Sequence, residues 1–425
     1  MSDFLKVTGG IPLSGEITLS GSKNGGLPII AATLLVSGTS VLNNVPDIAD
    51  VTNLFQLMTV LGVKITRNGN TAVVDASNIT GCELERQLAT SMRGSYYLIG
   101  PLLARMGRVT APMPGGCSIG ARPVDYIMQA IRSLGVQAVE HTDEAICTAP
   151  NGLIGGRVML DPSYRSPGAT FNALLTAVLA KGQTVIDCAT EDPEMTNLCE
   201  FLINAGAKIT GIGTRKVIID GVDKLHDVQH TLSADRIEGG TFLLAGAATR
   251  GRVTVGKLNP ADLGSLTDIF SEMGIKVEKG NDYITVDARG ISPSGTIVST
   301  QPFPGFPTDL QPPLVAMMCQ CIGRSVVHEN IYSGRMGYVN ELRKMGARIK
   351  VEENKIANIE GVEKLDGRLL EPADMRAGAA LVVAALSAQG ESKITGRHFI
   401  VRGYENLEDK LKHLGAKVDV ENNCK

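Results

Sequence analysis

The chain has 425 residues, 43% hydrophobic and 20% charged, with a formal net charge of -3. That length exceeds one ordinary core and predicts two domains. The near-balanced charge excludes a nucleic acid or an acidic membrane as a charge-recruited partner, and 4% aromatics with no Trp speak against a base-stacking surface.

Met1–Lys6 has no apolar leader core, and the longest apolar run, near Ala379–Leu386, is too short to span a bilayer. A cytoplasmic protein is therefore expected. The 8 cysteines lack paired spacing and read as reduced thiols. Cys319 and Cys321 have no second half to complete a metal site, so neither a metal nor a cofactor is expected.

In chain order, the first predicted elements are an apolar helix over Leu27–Leu35, stopped near Gly38, and then a short strand. An amphipathic helix follows, ending at Leu61-Gly62, and then a hairpin with its turn at Asn68-Gly69. This grammar recurs. The phrase Leu61-Gly62-Val63-Lys64 returns as Leu134-Gly135-Val136-Gln137, Ala205-Gly206-Ala207-Lys208, Met273-Gly274-Ile275-Lys276, Met345-Gly346-Ala347-Arg348 and Leu414-Gly415-Ala416-Lys417, at a period of about 70 residues. A second set, Gly38, Gly107, Gly182, Gly251, Gly323 and Gly390, keeps step with it. The unit is βαβαββ, present six times. A linear solenoid is the alternative, but units this long with two helices each favour compact domains of three copies.

The start of the first helix in each copy gathers polar residues. Copy by copy these are Ser20-Gly21-Ser22-Lys23-Asn24, Ser91-Met92-Arg93, Ser166-Pro167-Gly168, Ala234-Asp235-Arg236, Pro307-Thr308-Asp309 and Asp374-Met375-Arg376. Helix N-termini present free N–H groups and a partial positive charge. Lys23, Arg93 and Arg376 at such positions predict a ligand with several anionic groups. A Pro/Gly-rich loop, Pro112–Pro123, interrupts copy two and contains Cys117 and Arg122. It matches neither a Walker loop nor a dinucleotide fingerprint.

On Gly21-Ser22-Lys23-Asn24, Pro114-Gly115-Gly116-Cys117-Ser118-Ile119-Gly120-Ala121-Arg122-Pro123-Val124-Asp125, Asp235-Arg236-Ile237-Glu238, Phe306-Pro307-Thr308-Asp309-Leu310-Gln311 and Arg402-Gly403-Tyr404-Glu405, the chain resembles the enolpyruvyl transferases nearly end to end. Among them it is most similar to the branch of peptidoglycan synthesis that acts on UDP-N-acetylglucosamine.

The resemblance implies a two-domain inside-out α/β barrel, each domain built of three βαβαββ repeats. One domain would span 23–232 and the other 1–22 with 233–425, with the active site in the cleft between them. It implies transfer of enolpyruvyl from phosphoenolpyruvate to the 3-hydroxyl of UDP-N-acetylglucosamine, by a monomer. Cys117 would be the general acid and the target of fosfomycin, and Asp309 the general base. Lys23, Arg122 and Arg402 would hold phosphate and carboxylate, with Arg93 and Arg376 adding positive charge. Asn24, Pro123, Val124, Asp125, Tyr126, Arg165, Ser166, Pro167, Gly168 and Ile331 would complete the substrate contacts. Three departures bear on the acceptor: Tyr164-Arg165 where a lysine is frequent, Tyr332 where a phenylalanine is usual, and Val401 for a common aspartate. They leave open a paralogue that uses another uridine nucleotide.

Overall fold

The computed structural model describes residues 3–114 and 124–421. Their contacts divide the chain into two compact units, one of residues 21–114 and 124–233, the other of residues 3–20 and 234–421.

The first unit has three sheets. In one, Thr39–Asn43 pairs antiparallel with Thr71–Asp75, which pairs antiparallel with Lys64–Asn68, while Val228–Thr231 joins parallel at the other edge. The sheet of Gln183–Asp187, Lys216–Asp220, Lys208–Thr210 and Arg157–Met159 repeats that plan. The third holds only Arg108–Pro112, Glu144–Thr148 and Gln137–Glu140; a single parallel bridge, Glu83 to Thr110, stands where a fourth strand would lie. Thr39–Asn43 and Thr71–Asp75 alternate buried and half-buried residues, so each sheet turns one face to a core.

That core consists of helices. Lys23–Ala32 and Pro167–Ala177 are buried along nearly their whole length, as expected of helices apolar on every side. Asp125–Arg132 confines its buried residues to one stripe. Helices inside and sheets outside invert the usual α/β layering.

The second unit has the same plan with three complete four-stranded sheets. Its core helices Arg236–Ala248, Gln311–Met318 and Met375–Ser387 pack against one another. Phe4–Thr8 lies between Glu391–Ile394 and Lys417–Glu421, antiparallel to both, so the first strand of the chain is central in a sheet completed by the last.

The repeated Leu-Gly phrase now has a cause. Gly62, Gly135, Gly206, Gly274, Gly346 and Gly415 all sit at positive φ just after a helix, where a side chain is strained. The hairpin register differs by one residue from the sequence expectation. Asn68 pairs with Thr71 and Gly69, at φ 57, opens the turn, because a glycine-first turn matches the strand twist.

Candidate active site

In the unit of residues 21–233 the residues singled out from the sequence stand at or next to helix starts. Ser22 caps Lys23–Ala32, its hydroxyl accepting from Gly25 N–H at 3.1 Å. Lys23 is thereby the first helical residue and Asn24 the second. The Lys23 ammonium meets the Asp50 carboxylate at 2.7 Å, the two side chains being 10% and 4% exposed. Asp50 comes from the first turn of Ala49–Val60. Burial of two charges is tolerated because each neutralises the other.

Arg93 opens the short 3-10 helix Arg93–Leu98. Ser166 caps Pro167–Ala177, accepting from Ala169 N–H at 3.3 Å, and Pro167 takes the first helical position, where no N–H is needed. Gly168 follows, its carbonyl accepting from Asn172 at 2.9 Å. Arg165, at φ 43, is bonded to Glu191, which also takes Arg215 Nε at 2.9 Å.

Val124 stands before the helix Asp125–Arg132, and Asp125 is exposed in its first turn. Tyr126 and Tyr164 face each other with ring centroids 5.5 Å apart. The Tyr126 hydroxyl donates to Asp161 at 3.4 Å. The Ser163 hydroxyl and amide hold the Asp161 carboxyl below its ordinary value. Cys117, Arg122 and Pro123 lie outside the described residues.

The unit of residues 3–20 and 234–421 centres on Asp309, in the one-turn 3-10 helix Thr308–Leu310 before Gln311–Met318. Its Oδ1 accepts from Arg335 Nη2 at 2.7 Å and its Oδ2 from Arg376 Nη2 at 2.9 Å. The arginine side chains are 3% and 4% exposed, against 20% for Asp309, so the carboxylate is the more accessible partner in each pair. Arg376 is fixed from behind. Asp374 caps its helix, accepting from the Arg376 and Ala377 N–H groups at 2.8 and 3.0 Å, and Arg376 Nη1 donates to the Tyr404 hydroxyl at 3.0 Å. Burial, the largest single influence, lowers the Arg376 guanidinium, but Asp309, Tyr404 and Asp235 together outweigh it and the net shift is upward.

Ile331 and Tyr332 donate their backbone N–H groups to Glu329 Oε1 at 2.9 and 3.0 Å. Arg402 is half-buried in the turn after Arg397–Ile400.

The structure thus groups Asp309 with Arg376, and adds Arg335 and Glu329, which sequence reasoning missed. It also supplies Asp50 as a partner of Lys23, and a pair of the buried Glu238 with the half-buried Lys410 at 2.5 Å, at the start of Arg236–Ala248. Burial pushes the Glu238 carboxyl up to about 7 against the pull of Lys410. Among the described residues no group of His, Cys, Asp and Glu is arranged to hold a metal ion, and no helix is long and apolar enough to cross a membrane.

Residues 7–411 match the family model described as EPSP synthase (3-phosphoshikimate 1-carboxyvinyltransferase). The chain is 40% identical over 417 residues to UDP-N-acetylglucosamine 1-carboxyvinyltransferase 2 of Clostridium acetobutylicum, covering 98% of this chain and 99% of that protein. It is 42% identical over 416 residues to UDP-N-acetylglucosamine 1-carboxyvinyltransferase of Coprothermobacter proteolyticus, covering 98% and 97%. Among solved structures, the enolpyruvyl transferase NikO from Streptomyces tendae superposes with a TM-score of 0.89 at 26% identity over 99% of both chains. EPSP synthase from Acinetobacter baumannii shares the fold, with a TM-score of 0.75 at 20% identity over 99% of this chain and 100% of that one.

Proposed function

The chain belongs to the EPSP synthase (3-phosphoshikimate 1-carboxyvinyltransferase) family of enolpyruvyl transferases, and from that premise we propose that it transfers enolpyruvyl from phosphoenolpyruvate to the 3-hydroxyl of UDP-N-acetylglucosamine. Phosphate is released, and the step commits the nucleotide sugar to peptidoglycan synthesis. The observation that carries this reading is near-full-length identity of about two residues in five to proteins named for that reaction. The same proposal puts the enzyme in the cytoplasm, as a monomer.

The reaction is addition followed by elimination. Cys117 donates a proton to the methylene carbon of phosphoenolpyruvate, leaving its neighbour electron-poor. The acceptor hydroxyl attacks that carbon while Asp309 takes the hydroxyl proton. A carboxylate has lone pairs beyond the two engaged by Arg335 and Arg376, so it can accept this proton without giving up either arginine. The tetrahedral adduct then expels phosphate, and the methyl carbon returns a proton to give the enol ether.

Lys23, Arg122 and Arg402 hold the phosphate and carboxylate, and Arg93 and Arg376 add positive field where charge builds up. Asn24 and Ile331 face the sugar. The uridine diphosphate lies along Pro123, Val124, Asp125, Tyr126, Arg165, Ser166, Pro167 and Gly168, where two helices begin. The proposal divides these residues between domains of 23–232 and of 1–22 with 233–425, and requires both to act on one pair of substrates.

Phosphate release from phosphoenolpyruvate tests the reading, with UDP-N-acetylglucosamine and with UMP as alternative acceptors. Turnover with the nucleotide sugar alone is expected. Turnover with UMP alone would transfer the chain to a paralogous acceptor, and silence with both would remove the assignment.

A further inference from the structure

Glu329 is 0% exposed, yet it pairs with no lysine or arginine directly among the described contacts. Its carboxylate instead accepts four hydrogen bonds. The Thr300 hydroxyl and the Ile331 and Tyr332 amides reach Oε1 at 3.0, 2.9 and 3.0 Å, and the Thr308 hydroxyl reaches Oε2 at 2.9 Å. A buried carboxylate is costly unless its charge is compensated, and the nearest positive charge is reached through Thr308.

The Thr308 contact shows how. A hydroxyl has one proton to give, and Thr308 gives it to Glu329. Its lone pairs are then turned to Arg335, whose Nη1 donates to Thr308 Oγ1 at 2.6 Å. The same guanidinium holds Asp309 through Nη2. Arg335 is therefore shared between two carboxylates, Asp309 directly and Glu329 through one hydroxyl. With Arg376 the cluster has two positive and two negative charges.

We propose that Glu329 is a positioning residue for Asp309, acting through the Thr308 hydroxyl to fix Arg335 and to offset part of its charge. The inference rests on the reading that Asp309 takes the acceptor's proton. A carboxylate clamped by two guanidiniums is a weak base; a second buried anion behind one of them restores proton affinity to the first. Glu329 also holds the chain at Ile331 and Tyr332, so one buried group sets both the base and the adjacent backbone. The other titratable groups facing this cluster are Tyr404 on Arg376, Tyr332 with its ring 5.4 Å from the Arg335 guanidinium, Tyr338 near Glu329 and Arg335, and Asp235 and Asp374 beside Arg376.

Two readouts test it. Glu329→Gln keeps the shape and removes the charge, and is expected to lower kcat about tenfold, to shift the acid limb of the kcat–pH profile to lower pH, and to leave KM for phosphoenolpyruvate unchanged. Thr308→Val, which cuts the relay and leaves Glu329 in place, is expected to shift that limb in the same direction, and Thr308→Ser to restore it. Carbon-13 carboxyl NMR of the substrate-free protein, with Asp309 assigned by Asp309→Asn, reads the same shift without turnover. It therefore tests the proposal even if the wild-type enzyme is silent with both acceptors, a result that would remove the functional reading instead. Folded Glu329→Gln and Thr308→Val proteins whose Asp309 titrates as in the wild type would overturn the proposal. So would a Thr308→Ser variant as impaired as Thr308→Val.

Discussion

Replacing Asp50 with alanine strips the Lys23 ammonium of the carboxylate 2.7 Å away. At an effective dielectric of about 20 their direct attraction is ~6 kcal/mol, and desolvation of both groups offsets much of it. Because the side chains are only 10% and 4% exposed, solvent screens the pair weakly. Removing one partner from such a pair costs about 3–5 kcal/mol, most of it from the buried charge left behind. In a unit of this size that lowers the unfolding midpoint by roughly 6–20 °C. A double-mutant cycle separates charge from packing: thermal unfolding is followed for Asp50→Ala, Lys23→Met and the double variant. The double variant is expected to be more stable than Asp50→Ala, since the Lys23 ammonium is then gone along with its carboxylate. Strict additivity of the two single losses, or an Asp50→Ala protein within 1 °C of wild type, would refute the reasoning.

Asp309→Asn removes the proposed proton acceptor while keeping its shape. It is expected to lower kcat by about 10²–10⁴ with little change in KM for either substrate, measured by phosphate release; near-normal turnover would move the base elsewhere. Cys117→Ser is expected to lose turnover and fosfomycin labelling while still binding the nucleotide sugar by calorimetry. Glu238 carries a pH signature. Burial raises its carboxyl from 4.5 to about 7, so the folded chain keeps a proton that the unfolded chain has already lost. Its contribution to stability is full below pH 4.5 and disappears as the pH rises through 7. Glu238→Gln should flatten that part of the unfolding midpoint against pH, and an unchanged slope would rule Glu238 out as its source.

What could be read from the sequence depended on how local its cause was. The sixfold repeat was legible because each helix end needs a left-handed residue, and glycine at Gly62 or Gly346 records that need in one letter. The helix starts were legible for the same reason: Ser22, Ser166 and Asp374 cap within three residues of themselves. Arg335 and Glu329 were not. They reach Thr308 and Asp309 across 21 to 27 residues, and that span carries no periodic signal. Asp50 gave no signal in the sequence, because its partner Lys23 belongs to another helix. The Asn68 turn slipped by one residue because Asn-Gly and Gly-Asn, both present at Asn68-Gly69-Asn70, each make acceptable hairpin turns.

The placement of Phe4–Thr8 between Glu391–Ile394 and Lys417–Glu421 has a consequence for biosynthesis. The strand leaves the ribosome long before either of its neighbours. At about 5–20 residues per second, its backbone hydrogen-bonding groups wait on the order of 20–80 s for their partners. The segment of residues 21–233 draws its sheets entirely from its own span; Thr39–Asn43 has Thr71–Asp75 on one side early and lacks only Val228–Thr231 on the other until the end of the segment. During synthesis one half of the protein can therefore be finished and stable while the other still presents an open strand edge. Chaperone binding to nascent chains should concentrate on that edge until the last strand emerges.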